Sequence, residues 1–252
     1  MNRAHHVLLL LVALTVTVLA QNENSLTRDE VAIIKRKLVA VTEALGEPPP
    51  GYAKTEESFS LPTEANKAES AGRFHPVYGS ASLKFGSAAE KKGKKSGEDL
   101  QKEYQKKITD AQAKGDYQSM AQLSQEMMQK VSKASAEAME GPSEPVGVAI
   151  TFNSNPSQTI DPDAVVLEAP GVIALKFKED VDGTKGRVVL YFDPVNLKST
   201  KTLSVVQMNE PEGGVTKKNA VKNVIVELNG PLGEIQTWAK RIAAKKVLAQ
   251  ID

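Results

Sequence analysis

The chain has 252 residues, a quarter of them charged, with 32 basic against 31 acidic side chains and a formal net charge of +1. Nucleic-acid binding needs a concentrated basic face to neutralise phosphates, and this balance supplies none, so no nucleic-acid partner is expected. With no cysteine, and with His75 the one histidine beyond residue 20, the composition excludes disulfide stapling, thiolate nucleophiles and, once residues 1–20 are removed, most familiar metal sites.

Residues 1–20 predict a cleaved signal peptide. The apolar run Val7–Ala20 is 14 residues long and is interrupted only by Thr15 and Thr17, whereas a membrane-spanning helix needs roughly 20. Arg3, His5 and His6 provide a weakly basic lead, and Val18-Leu19-Ala20 places small side chains where a signal peptidase reads them. Export to the periplasm or the extracellular medium is therefore expected, with no transmembrane anchor left after cleavage. Removing these residues takes away Arg3 alone among the charged side chains and leaves 31 basic against 31 acidic. The Asn155-Pro156-Ser157 match to a glycosylation site is disqualified by its proline.

Residues 21–46 predict an amphipathic helix. Thr27 and Glu30 have capping-box spacing, and Leu26 is placed to staple onto Val31. Val31, Ile34, Leu38, Val41 and Leu45 form one apolar stripe, which Gly46 and Pro48-Pro49-Pro50 bring to an end. The stripe has two readings: it docks on the protein's own helices, or Val31, Ile34, Leu38 and Val41 form an interaction surface for a partner or a second copy.

Residues 47–95, rich in Pro, Gly, Ser and Lys, read as a linker that buries too little apolar area to order itself. Tyr52, Phe59, Phe74, Tyr78 and Phe85 are spaced to tack parts of it onto a neighbouring surface. The Lys91-Lys92-Gly93-Lys94-Lys95 run reads as a solvated lead into the next helix, and His75 as a turn residue.

Residues 96–141 predict a helical hairpin. Leu100, Tyr104, Ile108 and Ala111 mark the first arm. Gly115 breaks it, Asp116 caps the second, and Met120, Leu123, Met127, Val131, Ala134 and Ala138 line the return arm up to Gly141-Pro142. Met120 and Met127 fall a heptad apart beside Leu123, as in a coiled-coil seam, and also offer an adaptable binding surface. The phrase AKGDYQSMAQL resembles the turn and first helix of a tetratricopeptide repeat, but no second copy follows at the roughly 34-residue period such arrays require.

Residues 142–252 predict an α+β domain. Val146–Phe152, Ile173–Phe177 and Val188–Phe192 alternate as half-buried strands, and the turn-rich Glu179–Lys185 joins the last two as a hairpin. Thr202–Met208, Val221–Leu228 and a short Val165–Leu167 complete five or six strands. Pro231 opens a closing helix whose stripe runs through Leu232, Ile235, Trp238, Ile242 and Ala249. The expected fold class is α+β: an N-terminal helix and a helical hairpin, then a mainly antiparallel sheet closed by a C-terminal helix.

Chemistry is sparsely signalled. No nucleophile elbow, S-x-x-K, G-x-G-x-x-G or phosphate loop occurs. Asp180, Asp182 and Gly183 lack the rest of a calcium loop and read as a turn. No catalytic residue, metal or cofactor is assigned. Ile235, Trp238 and Ile242 either pack solidly under the sheet or line an apolar pocket beside it. The expected function is an exported, non-catalytic cell-envelope binding or scaffold protein. Its helices would serve docking or homo-oligomerisation, and its α+β domain would bind a protein or a small apolar ligand. The competing reading is an exported hydrolase built from carboxylates and hydroxyls of the C-terminal domain.

Overall fold

The computed structural model describes residues 23–87, 97–140, 144–194 and 205–252. Residues 1–20, read above as a signal peptide, the Lys91–Lys95 run, Ser96 and Gly141-Pro142 lie outside the described residues.

The predicted alternation produces strands, and all but the one at Val205–Val206 join into one sheet. The elements are α1 (Arg28–Ala44), β1 (Tyr52–Ser60), β2 (Gly79–Ser87), α2 (Gly97–Ala113), α3 (Tyr117–Glu140), β3 (Val146–Phe152), β4 (Gln158–Thr159), β5 (Val165–Ala169), β6 (Val172–Lys178), β7 (Lys185–Phe192), β8 (Val205–Val206), β9 (Val224–Pro231), α4 (Leu232–Ala239) and α5 (Ala244–Leu248). Seven strands form a sheet in the order β1-β2-β3-β9-β7-β6-β5, and every neighbouring pair is antiparallel. The fold is thus α+β with a mainly antiparallel sheet and C-terminal helices packed on it.

One sheet face carries the main core. Leu83, Phe85, Val148, Phe152, Leu190 and Leu228 point inward from successive strands and meet Ile34, Leu38 and Val41 of α1 and Trp238 of α4. The opposite face is covered at the β6–β7–β9 end, where Val206 and Met208 lie over Leu175, Val189, Tyr191 and Ile225.

The structure corrects three expectations. Residues 47–95 contain β1 and β2, two nine-residue strands integral to the sheet. Composition hid β1 because it is an edge strand with a mostly exposed burial pattern, and edge strands trade apolar density for charge; β2 is interior and alternates buried with exposed positions. Here the Lys54–Glu57 and Lys84–Glu56 pairs, at 2.9 and 3.7 Å, and a register shift between Lys54 and Glu56 guard that edge. Second, the closing helix is two helices, because the chain turns at Lys240–Ala243. Third, of the strand expected over Thr202–Met208, Val205–Val206 pairs only with β4, and residues 202–204 lie outside the described residues.

The ends of α1 are satisfied from both directions. At its start the Glu30 N–H donates to Thr27 Oγ1 at 3.2 Å and the Thr27 N–H donates to Glu30 at 2.8 Å, completing the expected capping box. At its end, carbonyls without a helical partner need donors. Trp238 Nε1 supplies one to Leu45 at 2.9 Å, and the Ala243 N–H supplies another to Ala44 at 2.9 Å. Asp252 ties the last residues back: its carboxylate accepts from Lys37 at 2.6 Å and from the Val221 N–H at 2.7 Å. Partial burial pushes the Asp252 carboxyl up, but Lys37, the Val221 N–H and Lys222 outweigh it and hold the group below its ordinary value.

Candidate functional site

The sequence singled out two groups that the core absorbs. Ile235 and Trp238 are fully buried and Ile242 nearly so. The indole ring meets Phe85 edge-on at 5.0 Å, and its N–H is used on Leu45, so this interface is filled rather than open to a ligand. Ile34, Leu38 and Val41 are likewise buried, with Val31 half-buried at the margin. An amphipathic stripe has the same spacing whether it faces its own sheet or a partner, and here it faces the sheet.

The helical hairpin is different. It interrupts the connection between β2 and β3, two strands that are direct neighbours with Phe85 opposite Val146. Gly115, at φ 71°, makes the turn between its arms, and Asp116 caps α3 by accepting from the Ser119 N–H at 3.0 Å. The two arms pack on one another and at most marginally on any other described element. Their seam is built around Tyr104, 3 % exposed, with Ala111 also buried. Leu100, Ile108, Met120, Leu123, Met127 and Val131 remain half-buried along it. Met120 and Met127 thus contribute to the seam and retain some exposure. Two large apolar side chains of α3 are left in solvent: Tyr117 at 76 % and Met128 at 68 % exposure. Tyr117 was not singled out in the sequence, because it lies off the apolar stripe that marks the seam.

One side of the hairpin is ionic. The Tyr104 hydroxyl donates to Glu126 at 3.3 Å, and Lys107 and Lys130 sit 4.9 and 5.4 Å from its ring centroid. Lys107 also donates to Glu103 at 2.7 Å. Bonding to Glu103 raises the Lys107 ammonium pKa, and bonding to Tyr104 raises that of Lys130.

A solvent-open cleft of about 800 Å³ lies between the start of α1, residues 67–74 and Lys218. Its cations are already engaged. Lys67 pairs with Glu23, Arg73 donates to the Gly214 carbonyl at 3.2 Å, and Lys218 donates to the Ser25 carbonyl at 3.0 Å while standing 5.0 Å from the Phe74 ring centroid. The bond from Lys67 lowers the Glu23 pKa. The groups crosslink three segments of the fold.

The resolved shifts of carboxylates and lysines among the described residues lead away from neutrality. Asp180, for example, is lowered by the Thr184 hydroxyl and by backbone N–H groups of its turn, the turn geometry expected from the sequence. Tyr52 is pushed up to about 12 by burial and by the neighbouring Glu234 and Glu144 carboxylates, and its hydroxyl lacks a partner in strict hydrogen-bond geometry. Tyr191 is pushed up to about 12 by burial, with Arg187 opposing and Glu227 adding to the shift. Groups held this way keep their ordinary charge at neutral pH, whereas proton-transfer catalysis favours groups tuned toward it.

Among the described residues no cluster of three or more His, Asp or Glu side chains is arranged to hold a metal ion, and no helix is long and apolar enough to cross a membrane. No family model, curated protein or solved structure matches this chain.

Proposed function

We propose that the protein is an exported, non-catalytic binding or scaffold protein of the cell envelope, in which the sheet domain is a rigid mount and the α2–α3 hairpin is the docking element. The observation that carries this reading is the hairpin itself. It is a helical pair set into a strand connection, packed on itself, with Tyr117 and Met128 exposed on one arm. Tyr and Met are enriched, and Lys and Glu depleted, at protein contact surfaces. The filled interface around Trp238 supports the same division of labour, because a solidly packed sheet–helix layer suits a mount. Export is supported by the short apolar run and small-residue cleavage pattern at residues 1–20.

A photo-crosslinking side chain placed at position 128 tests this in cells that make the protein. Discrete adducts are expected from position 128 and none from position 54 on the charged sheet edge. Adducts absent at 128, or equally abundant at 54, contradict the reading.

A further inference from the structure

The hairpin is a layer one helix thick with two unlike broad sides. At 3.6 residues per turn, the stripe next to the seam on α2 is Gln101, Gln105, Ile108 and Gln112. The corresponding stripe on α3 is Tyr117, Ala121, Ser124, Met128 and Ser132, with Gln125 beside it. Because the arms run antiparallel, both stripes fall on the same side of the layer. None of these side chains is charged, and apart from Ile108 and Ser124, both half-buried, all are exposed. The ionic side around Tyr104, with Glu103, Lys107, Glu126 and Lys130, is the other one.

In a chain with a quarter of its residues charged, a solvated helix face is expected to carry its share of charge. Charge is instead concentrated on the other side, with Glu98 and Lys102 confined to the outer margin of this one, and the charge-poor stripes hold two of the four exposed large apolar side chains among the described residues, Tyr117 and Met128. Depleted charge and exposed Tyr and Met are two marks of a contact core; Ala121, Ser124 and Ser132 add small side chains that let a second helix approach closely.

The chemistry of the face selects its occupant. A face whose centre is without charge offers little to a charged partner and meets little like-charge repulsion when turned on itself, with Glu98 and Lys102 left at the rim. Glutamine amides both donate and accept hydrogen bonds, so Gln101, Gln105, Gln112 and Gln125 are complementary to their own copies. Size agrees as well. Helix α3 has 24 residues, about 36 Å at 1.5 Å per residue. Two helices side by side at roughly 9 Å spacing present a face on the order of 600 Å², close to the roughly 800 Å² per partner of a stable interface.

We propose that two copies of this chain associate about a two-fold axis through the charge-poor side of the α2–α3 hairpin, forming an intermolecular four-helix bundle with the ionic sides outward. This deepens the reading of the hairpin as the docking element and rests on it.

Light scattering after chromatography of the purified protein, from micromolar to hundred-micromolar concentrations, tests the proposal. The natural chain is expected at twice its chain mass. The double variant Tyr117→Lys/Met128→Lys, which brings four ammonium groups into the bundle, is expected at the monomer mass with unchanged circular dichroism and thermal midpoint. Lys133→Glu, on the ionic side, is expected to remain a dimer. Because the chain has no cysteine, Ala121→Cys is expected to give a disulfide-linked dimer on mild oxidation and Lys133→Cys is not. A natural chain that stays monomeric throughout overturns the proposal, as does a dimer untouched by the double lysine variant. Adducts from position 128 to a different protein, together with a monomeric chain, overturn self-association and leave the hairpin as a docking element. Loss of both results removes both readings.

Discussion

Replacing Gly186 with alanine is expected to destabilise the sheet domain by on the order of 3 kcal/mol or more, read as a fall in the urea midpoint at unchanged slope. Gly186 lies in β7 opposite Lys178 of β6 and Gly230 of β9. A Cβ built there stands 2.2 Å from the Phe177 carbonyl oxygen and 3.2 Å from Leu232. A flexible side chain yields to such a contact, but a carbonyl held in a sheet does not. Relief requires β6 to move away from β7, and that shift opens contacts on both faces of the sheet. Gly147, a strand glycine whose nearest neighbour to an added Cβ is the Asn229 side chain at 3.9 Å, is the matched control. Gly147→Ala is expected to cost well under 1 kcal/mol. Equal effects at the two positions refute the steric account.

Trp238→Ala is expected to cost about 3–5 kcal/mol, the range for emptying a large aromatic site in a packed core. The indole is fully buried, stacked edge-on against Phe85, and donates to the Leu45 carbonyl at the end of α1. Removing it opens a cavity beneath the sheet and leaves that carbonyl without its donor. Trp238→Phe separates the two contributions. It keeps most of the apolar volume and loses the N–H, so a smaller cost of about 1–2 kcal/mol is expected from the unsatisfied carbonyl. If Trp238 instead lined a ligand pocket, the alanine variant would be nearly neutral in stability, and equilibrium denaturation distinguishes the cases directly.

How far the fold was legible in the sequence follows from the range of the interactions that decide each element. The Thr27–Glu30 capping box, the Gly115 turn, the Asp116 cap and the strands Val146–Phe152 and Val188–Phe192 depend on residues close in sequence, and they stand where their spacing places them. The strand β1 depends on β2 across the loop between them, and β2 depends on β3 across the whole hairpin. Strand β1 carries too little apolar density to announce itself, whereas β2 alternates Ala81, Leu83 and Phe85 inward with Ser82 and Lys84 between them, a strand signal that the linker composition around it masked. Tyr52 and Phe85, read as tacking points of a linker, are core side chains at 6 % and 5 % exposure. For the candidate site the same logic operates in reverse. The stripes at Ile34–Val41 and at Ile235–Ile242 were visible as apolar surface, but their cover comes from strands far away in sequence, so periodicity alone left open whether they were core or contact. The charge-poor side of the hairpin, along Gln101, Gln105, Ile108 and Gln112 and along Tyr117, Ala121, Ser124, Met128 and Ser132, was passed over by a reading that followed apolar periodicity. It became meaningful once the antiparallel packing of the arms put both stripes on one side.

The most direct test of the hairpin as a docking element on an independent mount is to excise it. Because Phe85 and Val146 are register partners, β2 and β3 are joined by a short glycine-containing turn in place of residues 88–143, with no strand displaced. Thermal unfolding of this shortened chain, followed at low concentration beside the full chain, is expected to show one cooperative transition within a few degrees of the original. The shortened chain is also expected to be monomeric. A shortened chain that fails to fold, or that keeps the association behaviour of the full protein, contradicts the division between mount and docking element.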